Sequence, residues 1–245
     1  MNLDDGSSES MHILITGANQ GLGLEMAKQL LEVHCSNICR DPDGPNSEAL
    51  RELAKKHPSV VTLVQLDVAD QCSIKESAKK VGSLLGKNGL NLLVNNAADM
   101  QNTFNTNVIG PLFVIREYLP YLSAATKAKG RPGMSCNKAA VINISTDSAS
   151  MSIMPVMKEP FPLFPYSISK VCKNPKTLIG CANELCADEI LCISIHPGWM
   201  RTDMGGDEAS IDVRESVEGM LCVIGSLPEK QNGAFLDYTG KTMPW

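Results

Sequence analysis

Short apolar runs alternate with stretches of helix-spaced apolar positions along this chain of 245 residues. The run "HILITGA" (12–18) predicts a buried strand ending in a glycine turn, and "GLGLEMAKQLLEV" (21–33) has the spacing of an amphipathic helix. "CSNIC" predicts a short strand, "SEALRELAKKH" (47–57) a helix with Ser47 as its N-cap, and "VVTLVQLDV" (60–68) a third strand. The pattern then gives a helix over 73–86, a strand within 90–98, a long helix over 103–125 containing Gly110-Pro111, and a strand over 139–145. A loop rich in Ser, Met and Pro (146–165) leads into a helix over 166–187 with Pro175 inside it. A strand over 190–198, a helix over 213–227 and a last strand over 233–238 complete the chain. The strands are continuously apolar, as strands covered on both faces are. This alternation predicts an α/β fold, a Rossmann-like doubly wound parallel sheet with helices on both faces. No repeat or linker divides the chain, so residues 11–245 are expected to form one domain behind a disordered tail at 1–10.

Composition narrows the function. A net charge of -5 offers no basic surface for nucleic acid, and 4% aromatic residues leave little for stacking bases. The nine cysteines contain no C-x-x-C pair, so neither a metal site nor a disulfide framework is expected. Cys35, Cys39, Cys136, Cys172 and Cys181 read as free thiols in a reducing compartment. The start "MNLDDGSSES" lacks the basic and apolar regions of a signal peptide, and no apolar run is long enough for a bilayer. A cytoplasmic protein without a membrane partner is expected.

"TGANQGLG" (16–23) joins the first strand to the first helix. Glycine here permits a tight turn and lets backbone N–H groups approach a pyrophosphate, whose charge the helix N-terminus favours. Gly17, Asn19, Gln20, Gly21, Leu22 and Gly23 are therefore candidate cofactor-binding residues, although such a turn also serves without a ligand. Asp67 and Val68 end the third strand, where a carboxylate can accept from an adenine amino group. Asn95, Asn96 and Ala97 end the fourth strand, at the edge where such sheets bind ligands.

"TGANQGLG", "NNAA", "YSISK" and "HPGWMRTDM" stand in the order and spacing of the short-chain dehydrogenase/reductases, and the chain resembles that family throughout after the tail. "MSCNKAAVINIS" and "NGAFLDYTGKTMPW" resemble more narrowly its C-factor/sniffer-type carbonyl reductases. The resemblance implies an NADP-dependent oxidoreductase that reduces small aldehydes or ketones by hydride transfer. Tyr166 would be the general acid, with Lys170 one helical turn on to hold the nicotinamide ribose. An ammonium beside a tyrosine lowers its pKa from about 10. Thr146 falls in the place of the family's catalytic serine, with Ser145 just before it, and Asn107 would support a water relay. Pro197 and Gly198 would flank the nicotinamide, Thr202 would bond its carboxamide or a phosphate, and His196 reads as structural. Arg40, ending the second strand, favours the 2′-phosphate of NADP, whereas Asp41 beside it keeps NAD open. Met151, Met154, Met157 and Phe164 would wall the substrate, and the assembly would be a monomer or a homodimer.

The chain departs from that family at three places. The segment between Gly23 and Arg40 is short, so is the segment at 99–103 after Ala98, and Pro175 interrupts the helix that carries Tyr166. Thr146, the short segment at 99–103 and Pro175 motivate an alternative: a catalytically weakened nucleotide-binding or protein-interaction module on the same fold.

Overall fold

The computed structural model describes residues 11–31, 36–40, 48–99, 102–128, 130, 132–153, 164–171 and 185–244, with 36–40, 164 and 165 as backbone only. The tail at 1–10, Ser47, Met154, Met157, Pro175, Cys172 and Cys181 lie outside the described residues, as do the side chains of Cys39, Arg40 and Phe164.

Seven strands form one parallel sheet: β1 His12–Ile15, β2 Ser36–Arg40, β3 Val61–Val64, β4 Leu92–Asn95, β5 Ala140–Ile144, β6 Leu191–His196 and β7 Phe235–Asp237. Their order is β3-β2-β1-β4-β5-β6-β7. The chain therefore winds outward one way from β1 and the other way from β4, leaving a crevice at the carboxyl ends of those two neighbours. Register fixes that edge: Ile15 lies opposite both Cys39 and Val94, and Asn95 lies opposite Asn143. The helices are α1 Gly21–Leu31, α2 Glu48–Lys56, α3 Gln71–Leu85, α4 Gly110–Ala128, α5 Phe164–Val171 and α6 Val213–Gly225.

The period-two geometry of a strand explains the continuous apolar runs. Ile13, Leu92, Val94, Ile142 and Ile193 point to one face, where Leu22, Met26 and Leu30 of α1 and Val217, Met220 and Ile224 of α6 cover them. Leu14, Leu93, Val141 and Cys192 point to the other, against Ile74 and Val81 of α3 and Val114, Tyr118 and Leu122 of α4. Both faces are buried, so no polar alternation survives in the sequence.

Three boundaries differ from the sequence expectation. β3 ends at Val64, so Asp67 and Val68 lie in the loop beyond it. α3 starts earlier, because the Asp70 carboxylate accepts the N–H groups of Cys72 and Ser73 and caps it. The long middle helix opens as a π-helix, Asn105–Ile109, before α4. Gly110 N–H reaches back to the Asn105 carbonyl, and Pro111 has no N–H for the Asn107 carbonyl, so the narrower α spacing is broken there.

Candidate active site

The glycine loop is held by its neighbours. Gly17 has φ +66, and a side chain there would stand 2.9 Å from the Ala97 Cα. At Gly23 a Cβ would meet the Gly17 carbonyl oxygen at 2.4 Å and the Asn96 Nδ2 at 2.6 Å. Glycine is required at both. Asn96 Nδ2 donates to the carbonyls of Thr16 and Gly17, each at 3.0 Å. Asn96 N–H and Ala97 N–H donate to Thr16 Oγ1, which in turn donates to the Val94 carbonyl at 3.3 Å. The end of β4 and the turn after β1 are thus one hydrogen-bonded unit at the crevice. Thr202 arrives from the other side: its Cγ2 lies 3.7 Å from where a Gly21 Cβ would stand, and its Oγ1 accepts the Gly205 N–H.

Two buried polar atoms at this edge have no hydrogen-bond partner: Asn95 Oδ1 and Ser145 Oγ. They sit at the carboxyl ends of β4 and β5. A buried polar atom left unpaired costs about 1–3 kcal/mol, so an edge that keeps two of them fits a polar ligand. Asn95 Nδ2 meanwhile donates to Asn143 Oδ1 at 3.0 Å and ties β4 to β5. Asp67 is exposed, its Oδ1 accepting Ala69 N–H, while Val68 is buried. Arg40 stands at the carboxyl end of β2, opposite Val64.

Tyr166 and Lys170 are one turn apart on α5, with Lys170 Nζ 5.4 Å from the centre of the Tyr166 ring. Lys170 is only 1% exposed and donates to the Ile144 carbonyl at 3.1 Å, which pins α5 to the end of β5. Thr146 follows that strand; its Oγ1 donates to Asp147 Oδ1 at 3.0 Å and lies 3.2 Å from Ser148 Oγ. Asn107, fully buried in the π-helix, donates from Nδ2 to Ser169 Oγ at 3.0 Å and to the Asp99 carbonyl, and accepts the Asp99 N–H. Ser169 Oγ donates to the Tyr166 carbonyl at 2.6 Å. Asn107 therefore links Asp99, just after β4, to the turn carrying Tyr166.

Charge at the site differs from the sequence expectation. Burial, and then the Asp147 carboxylate, push the Tyr166 phenol up to about 12 rather than down. His196 accepts the Asp147 N–H at Nδ1, and burial holds its pKa below the usual value against the pull of Asp147 and Asp237. Pro197 accepts a short hydrogen bond from Ser216 Oγ of α6, and Gly198 follows with φ +82. Met151 is strongly exposed. Asp147 had no periodic signal in the sequence; the only hint was a charge directly after the hydroxyl pair Ser145-Thr146.

Residues 11–211 match the family model for short chain dehydrogenase, and the chain belongs to that family of oxidoreductases. A solved structure of NADPH-bound carbonyl reductase from chicken fatty liver is 36% identical, with TM-score 0.89, covering 97% of this chain and 100% of that one. Carbonyl reductase Sniffer of D. melanogaster is 31% identical, with TM-score 0.87 and the same coverage. C-signal of Myxococcus xanthus is 32% identical over 148 residues, 60% of this chain and 80% of that protein.

Proposed function

We propose that this oxidoreductase reduces small aldehydes or ketones with NADPH. The observation that carries the reading is the meeting of Tyr166, Lys170 and Thr146 at the same sheet edge as the glycine loop. When bound, the reduced nicotinamide supplies the hydride. The N–H groups of the loop from Gly17 through Asn19, Gln20, Gly21 and Leu22 to Gly23 would hold the pyrophosphate at the start of α1. The unpaired Asn95 Oδ1 and Ser145 Oγ would take up polar groups of the cofactor, Thr202 would close over it, and Asp67 and Val68 would receive the adenine. Arg40 would meet the 2′-phosphate, in keeping with the NADPH bound by the chicken enzyme; NAD is the competitor that a parallel titration ranks.

The chemistry of the chain follows from the phenol's high proton affinity. Tyr166 keeps its proton at neutral pH and releases it only to an oxygen that is turning into an alkoxide. The ammonium of Lys170 then neutralises the tyrosinate left behind. Thr146 orients the reacting oxygen, and Asn107 holds the turn from beneath. The same reading keeps residues 11–245 as one domain and places the protein in the cytoplasm. The assembly would be a monomer or a homodimer.

The test is NADPH oxidation with a panel of reactive aldehydes and ketones, beside fluorescence titrations of NADPH and NADH. Tyr166→Phe lowers turnover by about 10²–10⁴-fold and leaves NADPH binding in place. Tight binding without turnover in the unmodified protein refutes the reductase reading and leaves a nucleotide-binding module.

A further inference from the structure

Among the described residues, Asp147 is a charged group bonded to Thr146 that the proposed chemistry does not use. It opens the 3-10 turn Asp147–Ala149, immediately after Thr146. Its Oδ1 accepts the Thr146 hydroxyl at 3.0 Å and the Ser148 N–H at 2.8 Å. Its Oδ2 stands 3.8 Å from His196 Nε2, and its side chain is 35% exposed. An oxygen bonded to Thr146 at about 2.8 Å therefore lies within about 6 Å of that carboxylate.

No permanent positive charge offsets it among these partners. Thr146 and Ser148 are neutral, and burial keeps His196 neutral near pH 7 although the charges of Asp147 and Asp237 both act on it. Lys170 is 1% exposed, 5.4 Å from the centre of the Tyr166 ring and bonded to the Ile144 carbonyl. The charge of Asp147 is felt at Tyr166, whose proton affinity it raises.

We infer that Asp147 is a specificity-determining residue that selects carbonyl substrates bearing a cationic nitrogen one or two carbons from the carbonyl; this rests on the reductase reading above. The separation of about 6 Å places such a nitrogen in ion-pair range of the carboxylate while the oxygen sits on Thr146. Pairing with the cation also weakens the carboxylate's claim on the Thr146 hydroxyl hydrogen, so that hydrogen turns to the substrate oxygen. A neutral substrate offers no such exchange, and an anionic one is repelled.

Two ketones of the same shape test it: 1-(trimethylammonio)propan-2-one, which carries a permanent charge, and 4,4-dimethylpentan-2-one, which carries none. The cationic ketone is expected to show a kcat/KM at least about tenfold higher, as an attraction at this range through a partly exposed site gives. Raising the salt concentration shrinks the ratio. Asp147→Asn brings it down by about tenfold or more, and comparing the ratio across enzymes cancels the intrinsic reactivity of the two ketones. Should the variant not fold, the salt dependence of the unmodified enzyme decides. A ratio near one, or one that ignores both salt and Asp147→Asn, overturns the inference while the reductase reading stands. Turnover of neither ketone nor any aldehyde of the panel overturns both.

Discussion

A single methyl group separates Thr146 from the serine that the family resemblance leads one to expect. Its hydroxyl is engaged by Asp147, so the residue is ordered and not idle. Thr146→Ser keeps the hydroxyl and is expected to retain turnover. Thr146→Val keeps the shape, loses the hydroxyl and lowers kcat by about 10²-fold or more, the scale of one lost transition-state donor. Steady-state kinetics on both variants check this. Gly23 makes the matching case for the cofactor. A methyl there meets the backbone of the loop itself at 2.4 Å, and backbone cannot swing away. Gly23→Ala is therefore expected to weaken NADPH binding at least tenfold in a fluorescence titration.

At the scale of elements, the π-helix before α4 decides how the site is braced. A wide turn puts Asn107 where it reaches both Asp99, eight positions back, and Ser169, 62 positions on. Asn107→Ala removes its bonds with Asp99 and Ser169 from a buried place, at about 1–3 kcal/mol, and lowers Tm by roughly 2–10 °C; scanning calorimetry reads it. This element also marks where sequence reading stops. The strands were legible, since a run such as Ala140–Ile144 is apolar at every position except Asn143. The glycine loop was legible too, because its glycines stand at fixed spacing between a strand and a helix, although the neighbours that enforce them, Asn96 and Ala97, lie about 80 residues on. The π-turn was not: no residue pattern encodes it beyond Gly110-Pro111, and Asn107's partners come from 62 positions away as well as from 8. The apolar spacing puts the helix start at Ser73, whereas the structure starts it at Gln71 behind the Asp70 cap. Asp147 and the buried Lys138 escaped because their roles depend on neighbours that only the fold supplies. Lys138, 5% exposed, pairs with Glu189, a residue in the left-handed region at φ 57.

At the scale of the molecule, buried titratable groups bound the pH range of stability. Burial lowers the pKa of His12 and His196, so the unfolded chain takes up protons that the folded one refuses. Their contribution is present above about pH 6.5 and is lost as pH falls through the folded values. Glu189, lowered mainly by its bond from Lys138, and Asp237 add losses of the same sign in stronger acid. Tyr118 and Tyr166 are raised by burial, so their contribution is present below pH 10 and lost as pH rises through about 12, the folded value of Tyr166. Thermal unfolding is expected to show a plateau of Tm between about pH 7 and pH 10, falling on both sides. A Tm still rising from pH 8 down to pH 5 would contradict the histidine limb.

The pairing of β1 with β4 sets a timetable for the chain's birth. His12 donates to Asn91, 79 residues later, and Thr16 takes its partners from 78 to 81 positions on. At about 5–20 residues per second of synthesis, the first strand waits roughly 4–16 s for its neighbour. Throughout that interval Ile13, Leu14 and Ile15 have no sheet partner on that side. The glycine loop cannot take its final shape until Asn96 has been made, however early its motif appears in the sequence.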